Sequence, residues 1–293
     1  MPRMVAYQRA TVAVEGGELA FGIWGEQGPL VVAAHGITSS HLAWALVAER
    51  LGTDHRFVAA DLRGRGDSRD LPGPYGIDRH ADDIAAVIRA YGGQAVVVGH
   101  SMGAFVAAAT ARRHPDLVSR LVLVDGGAPL PLPPGVPADA TEADLKVAIE
   151  QTVGTAFARL TETFPDRAAV TALWRGHPAL TDWNAAMTAY ADYDVVETAD
   201  GLVTKCKLAA AVRDAQDIYA TSSARSAALP VPAVFLRAER GMLGGPTPLY
   251  PEGYAERWLP GIAASTVANA NHYTITLSPG PADVVADAVR TYR

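Results

Sequence analysis

The sequence predicts an α/β protein, a mostly parallel sheet with helices on both faces. Three observations predict it. Short apolar runs such as LVVAA, FVAA, AVVV and RLVLV recur along the chain, each the length of a buried strand. Stretches with a helical apolar stripe lie between them. One long segment, from Gly126 to about Ala228, breaks this alternation and therefore reads as an insertion.

Taken in order, residues 10 to 24 alternate as two antiparallel strands joined at Glu15-Gly16-Gly17. LVVAAHG (30 to 36) is a third strand ending in a tight turn, and HLAWALVAERL is the helix after it. FVAAD (57 to 61) runs as a strand into LRGRGDS, and a helix covers about Asp78 to Tyr91. AVVV (95 to 98) leads into a helix whose stripe is Met102, Phe105, Val106 and Ala109, ending near Pro115. RLVLVD (120 to 125) is another buried strand. The insertion opens proline-rich, APLPLPPGVP, and continues as helical segments without strands between them. Alternation resumes with VPAVFLRA (231 to 238), a helix near 251 to 258, STVAN (265 to 269) and a last helix after Pro281. The expected organisation is a core over 1–127 and 229–293 with a mainly helical cap over 128–228. An insertion after a strand's carboxyl end lies over the place where such sheets bind ligands.

Composition narrows the function. With 293 residues, 49% hydrophobic and 19% charged, the chain can bury a large core. A formal net charge of -6 and the lack of a Lys/Arg block give no reason to expect nucleic acid. The apolar runs are too short for a membrane span, and MPRMVAYQRATVAVEGG has no apolar core of a secretion signal. The single cysteine, Cys206, makes no internal disulfide, which favours a cytoplasmic location. No cofactor is expected: the G-x-G-x-x-G fingerprint is absent and no three residues have metal-ligand spacing. Partners are a small organic substrate and water, with a homodimer left open.

The chemistry centres on AVVVGHSMGAFVAAATARRHPD. A strand that turns into a helix over one residue strains that residue, and Gly99 and Gly103 relieve the crowding around it. Ser101 then projects from the turn with the helix N-terminus behind it. Serine needs an adjacent base to be a nucleophile. Of eight histidines, His272 in NANHYT is the candidate, on a loop between a late strand and the last helix. His35 and His100 adjoin glycine turns and are read as braces for them. His41, His55, His80, His114 and His177 fall on apparent surface or helix positions. Two backbone donors for an oxyanion are the N–H groups of Met102, behind the serine, and Ile37, in the turn after His35-Gly36. Asp125 and Glu239, both ending expected strands, are the candidate acids; the bland readings are a turn cap and a surface pair with Arg240.

The pieces HG (35–36), DLRGRGDS (61–68), GHSMG (99–103), RLVLVD (120–125) and NHY (271–273), in that order, resemble the α/β-hydrolase fold family over nearly the full length. The resemblance implies an eight-stranded sheet, a cap after the sixth strand and a Ser-acid-His triad. In many members the loop after the seventh strand reads Gly-Glu-x-Asp and that Asp is the acid. Here the register is Ala238-Glu239-Arg240-Gly241, with glycine at the usual position. Some members, zearalenone-type lactonases among them, place the acid after the sixth strand, which implies Asp125. Haloalkane dehalogenases and epoxide hydrolases of this fold attack with aspartate, whereas this chain has Ser101.

These readings favour a serine hydrolase of a small or medium carboxylic ester or lactone. A C–C hydrolase acting on a ring-fission dienoate or vinylogous diketone is the enzymatic runner-up, and a non-catalytic ligand receptor is a third reading. Arg63 and Arg65 are candidates for binding a carboxylate or for structural salt bridges. Within the cap, Phe157, Phe164, Trp174, Trp183, Met187, Tyr190 and Tyr193 supply its apolar packing. Trp174, Trp183, Met187 and Tyr190 are the expected pocket residues, with the loop GMLGGPTPLYP (241 to 251) bordering the entrance.

Overall fold

The structure is a computed structural model that describes residues 5–130, 157–221 and 228–291. Of the expected cap over 128–228, residues 131–156 and 222–227 lie outside the described residues, most of its proline-rich opening among them. In chain order the strands and helices are β1 (Tyr7–Val14), β2 (Gly17–Trp24), β3 (Leu30–Ala34), α1 (Ala45–Leu51), β4 (Arg56–Ala60), α2 (Ile77–Tyr91), β5 (Ala95–His100), α3 (Met102–Arg113) and β6 (Val118–Val124). Then follow β7 (Thr163–Phe164), α4 (Arg167–Arg175), α5 (Ala185–Tyr193), β8 (Val195–Thr198), β9 (Gly201–Thr204) and α6 (Leu208–Thr221). The chain closes with β10 (Ala233–Ala238), α7 (Tyr254–Trp258), β11 (Ala263–Val267), α8 (Thr274–Leu277) and α9 (Pro279–Thr291).

Eight strands form one sheet in the order β1-β2-β4-β3-β5-β6-β10-β11. The β1–β2 and β2–β4 pairs are antiparallel, and every later neighbour is parallel. The apolar runs are continuous rather than alternating because both faces are covered. Val32, Val58, Val97, Leu121 and Phe235 pack under α2, α3 and α7. Val31, Phe57, Val96, Val98, Val122 and Leu236 pack on the other face, against α1 and α9. Neighbouring residues of one strand thus serve opposite layers.

The middle segment differs from the expectation of helices alone. It carries a three-stranded antiparallel sheet, β7-β9-β8, between its helices. The signal was present: Asp200-Gly201 lies between the β-branched stretches VVET and LVT, a hairpin pattern. Four-residue strands among alanine-rich helices are simply too short to dominate a reading by period. This segment docks on loops at the carboxyl ends of the main strands. Tyr193 donates to Asp61 after β4 at 2.5 Å, Arg159 to the Thr38 carbonyl after β3 at 2.9 Å, and Asn271 after β11 donates to the Ala179 carbonyl at 2.8 Å.

Two arginines left open by the sequence are internal. Arg63 makes a two-pronged pair with Asp83, both contacts 2.9 Å, and also bonds the Pro72 and Glu15 carbonyls. Arg65 pairs with Asp214 on α6 at 2.6 Å and bonds the carbonyls of Ile37 and Arg63. Neither guanidinium reaches solvent. His41 and His80, read as surface or helix positions, are both buried, His80 on helix α2: His41 bonds Asp61 and Tyr7, and His80 bonds Asp214. Both turn inward because a buried carboxylate needs donors. Removing one partner of a buried ion pair leaves an uncompensated charge. Asp83→Ala should therefore lose about 3–5 kcal/mol in urea unfolding, a far larger loss than removal of the exposed Glu15 carboxylate.

Candidate active site

Ser101 joins β5 to α3 with φ 55° and ψ -123°, outside the regions an L-residue occupies at ease. Its N–H donates to the Val124 carbonyl of β6 at 3.0 Å. The surrounding glycines hold the backbones close: a Cβ on Gly99 would strike the Gly103 carbonyl, and one on Gly103 would strike the Ala34 carbonyl. The side chain stands half-buried at the start of α3, where the first helical N–H groups have no intrahelical acceptor. Met102 carries the first of them.

The turn after β3 lies beside the serine. A Cβ built on Gly36 would sit 3.4 Å from the Ser101 Cβ and 3.8 Å from its Oγ. Ile37 follows, and its peptide is fixed from several sides. His35 Nδ1–H donates to the Gly36 carbonyl at 2.7 Å, its Nε2 accepts from the Leu62 N–H at 3.0 Å, and Arg65 Nε donates to the Ile37 carbonyl at 2.9 Å.

His272 lies after β11 on a loop knitted by Asn271, whose Oδ1 accepts from the N–H groups of Tyr273 and Thr274. Its Nδ1 is 2.7 Å from Asp125 Oδ2. Asp125, fully buried at the end of β6, also accepts from the Ala238 N–H through Oδ1 at 3.0 Å. Both oxygens of that carboxylate are thus committed in fixed directions. Glu239 is turned elsewhere: its Oε2 accepts from the Asn269 N–H at 2.7 Å, at an exposed position. Of the two carboxylates weighed from the sequence, Asp125 is the one that meets His272.

A cavity of about 50 Å³ opens at this place. Ile37, His100, Tyr190, Met242 and His272 line it, with the hydroxyl-bearing Thr38, Ser39, Tyr273 and Thr276. Of the expected pocket residues, only Tyr190 is in that lining. Trp174 stacks edge-on against Tyr190 at 5.3 Å, Met187 is buried in the same apolar cluster, and Trp183 bonds Thr188 while Arg175 covers its ring. Large apolar side chains gain most by packing the segment together, and they do so here. The hydroxyl residues carried no periodic signal that would have singled them out. Met242 belongs to the glycine-proline loop expected at the entrance. Among the described residues no group of three or more His, Cys, Asp or Glu is arranged for a metal, and no helix is long and apolar enough to cross a membrane.

The model of a family described as alpha/beta hydrolase fold matches residues 29–208. The chain belongs to the alpha/beta hydrolase fold family. Among its relatives are 2-(acetamidomethylene)succinate hydrolase of Mesorhizobium japonicum, 39% identical over 99 residues, and N-formylmaleamate deformylase of Pseudomonas putida, 44% identical over 105 residues. These alignments cover 33% and 35% of this chain, and only 36% and 39% of the curated relatives' lengths. Among solved structures, that of E-2-(acetamidomethylene)succinate hydrolase superposes with a TM-score of 0.76 at 26% identity, covering 98% of this chain and 99% of that one. Each comparison thus includes proteins named or described as hydrolases.

His35 and His100 are both buried, and burial lowers each imidazole from its ordinary value to about 3. For His35 the Asp61 charge opposes the shift; for His100 the neighbouring His272 adds to it. Both rings stay neutral in the working range. Their contribution to stability is complete above the unfolded value of about 6.5 and is lost as the pH falls through about 3. Histidine NMR titration should find these two rings silent between about pH 8 and 5; movement of either resonance in that range would contradict their burial as neutral groups.

Proposed function

We propose that this protein is a serine hydrolase that cleaves a small carboxylic acid derivative, an ester or lactone in the leading reading, through an acyl-enzyme. The observation that carries the reading is the 2.7 Å contact of Asp125 with His272 behind the strained Ser101 turn. Asp125 accepts a hydrogen bond from Nδ1–H, which keeps the proton on Nδ1 and leaves the His272 Nε2 lone pair available. Ser101 attacks the carbonyl carbon as Nε2 takes its proton, and the N–H groups of Ile37 and Met102 receive the oxyanion. His272 then protonates the leaving group. Water enters, gives its proton to the same Nε2, and attacks the acyl carbon; collapse of this second oxyanion returns the proton to Ser101 and frees the acid.

The segment over 128–228 acts in this reading as the cap that decides what enters. The small cavity and its hydroxyl lining favour a short, polar acyl compound. Arg159 lies one layer behind the Thr38 wall and supplies positive charge there, although Asp194 at 2.8 Å partly offsets it. Both curated relatives act, by name, on derivatives of small carboxylic acids, succinate and maleamate. The formyl group that the second relative removes is held on nitrogen, yet the substrates in both names share one feature with a second reading. Their substrates carry a carbon–carbon double bond beside a carbonyl, as do the dienoates and vinylogous diketones of C–C hydrolases. The Ser101–His272 pair would serve that chemistry after ketonisation of the substrate.

A fluorophosphonate should label the protein once, at Ser101, and Ser101→Ala should abolish the adduct in intact-mass spectra. An active, folded protein that never labels would sink the serine mechanism. Asp125→Asn should lower turnover by about four orders of magnitude, as loss of the orienting carboxylate does in the best-studied protease triad. Glu239→Gln should stay within about tenfold of the parent; the reverse order would move the acid to Glu239. Turnover of acetyl, butyryl and octanoyl aryl esters, lactones and dienoates separates the substrate classes. Short esters and lactones should lead that panel, and strong preference for the dienoate would transfer the assignment to C–C hydrolysis.

A further inference from the structure

We propose that His100 is a positioning residue for His272, holding the base in register with the serine next to it in sequence. This inference rests on the serine mechanism above and goes beyond a brace for the local turn.

His100 adjoins Ser101 in sequence, bonds His272 and pairs with the residue before Asp125. It is the last residue of β5 and immediately precedes Ser101. Across the sheet it pairs with Val124 of β6, the residue before Asp125. Its Nε2 is 2.8 Å from the His272 carbonyl oxygen, so the Nε2–H donates there. The two imidazoles lie 4.8 Å apart at 42°, and the indole of Trp44 meets the His100 ring edge-on at 6.4 Å.

The need for such a contact follows from the topology. β5 carries the serine, whereas the His272 loop follows β11, three positions along the sheet with β6 and β10 between. The loop therefore has to reach back across two strand ends to bring its imidazole to Ser101. Asn271 shapes the loop internally and anchors it to the Ala179 carbonyl, and Asp125 holds the ring through Nδ1. His100 supplies a bond from the serine's own strand to the main chain of His272. A ring that stays neutral keeps one proton, and with that proton on Nε2 the donor is present throughout the working pH range. The same ring lines the cavity, so its body also forms part of the wall beside the reacting atoms.

Three substitutions test the proposal. In glutamine the amide nitrogen reaches about as far as Nε2 of histidine; in asparagine it stops short; leucine has no donor. His100→Leu and His100→Asn should lower kcat, and the rate at which a fluorophosphonate labels Ser101, by about 100-fold, because a misplacement near 1 Å costs that much. KM should change much less than kcat, since the hydroxyls that share the cavity lining are untouched. His100→Gln should recover most of the lost rate. The strongly deshielded proton of the Asp125–His272 hydrogen bond should broaden or move in the Leu and Asn variants and return in the Gln variant. If the leucine variant does not fold, the comparison of glutamine with asparagine still decides. Equal kcat in those two variants, or a folded leucine variant as fast as the parent, overturns the proposal while leaving the serine mechanism standing. A parent protein that never labels at Ser101 overturns both, so the two failures are distinguishable.

Discussion

The close approach of four chain segments at Ser101 governs the rest of this molecule. The end of β5, the start of α3, the turn after β3 and the turn after β6 converge on one residue. Gly126 completes the set: a Cβ there would collide with the Ser101 main chain. Packing this tight leaves no room for adjustment, since interiors are as dense as organic crystals. The strained φ of Ser101, which costs on the order of 1–3 kcal/mol, persists because the neighbours over-determine it. What the convergence achieves is chemical. It sets the Ser101 side chain at the start of α3 and beside the Gly36 turn after β3.

Buried polar groups then tie the loops at the strand ends to one another. Asp61 accepts from the His41 main chain and ring, from the Asp67 N–H and from Tyr193. Burial alone would raise that carboxyl, yet the facing histidines and these donors hold it well below the usual range. Arg65 connects the Ile37 carbonyl with Asp214 on α6, so the turn beside Ser101 is joined to the inserted segment. These contacts are not surface ion pairs of marginal worth. Enclosed as they are, loss of one member strands the others, and the loops are held by that penalty as much as by attraction.

The two candidate acids show how one register decides chemistry. Gly241 occupies the position where many members of this family carry the aspartate, and a Cβ there would run into the Thr247 carbonyl. The loop after β10 has accordingly closed on itself, with the Gly241 N–H bonded to the Gly245 carbonyl at 2.9 Å. Glu239 serves the neighbouring turn through Asn269. Asp125, one strand over, meets the same imidazole from the end of β6, and its positive φ of 46° turns the carboxylate toward it.

Much of this was legible in local patterns. Apolar runs of strand length, the helical stripe behind Ser101 and the glycines at 99 and 103 are local signals, because strand burial and tight turns constrain residues adjacent in sequence. They sufficed for the alternating architecture and for Ser101 and His272 as candidates. They also made Asp125 one of two acids, and glycine at 241 weighed in its favour. Contacts between distant residues were beyond their reach. The short sheet of the middle segment, the inward turn of His41 and His80, the pairing of Arg63 with Asp83, and the hydroxyl lining of the cavity all depend on which loops meet after the sheet closes. A titratable or hydroxyl side chain looks the same in sequence whether it faces water or a partner 100 residues away. Burial and the geometry of that partner decide between them, and both come into being only with the tertiary fold.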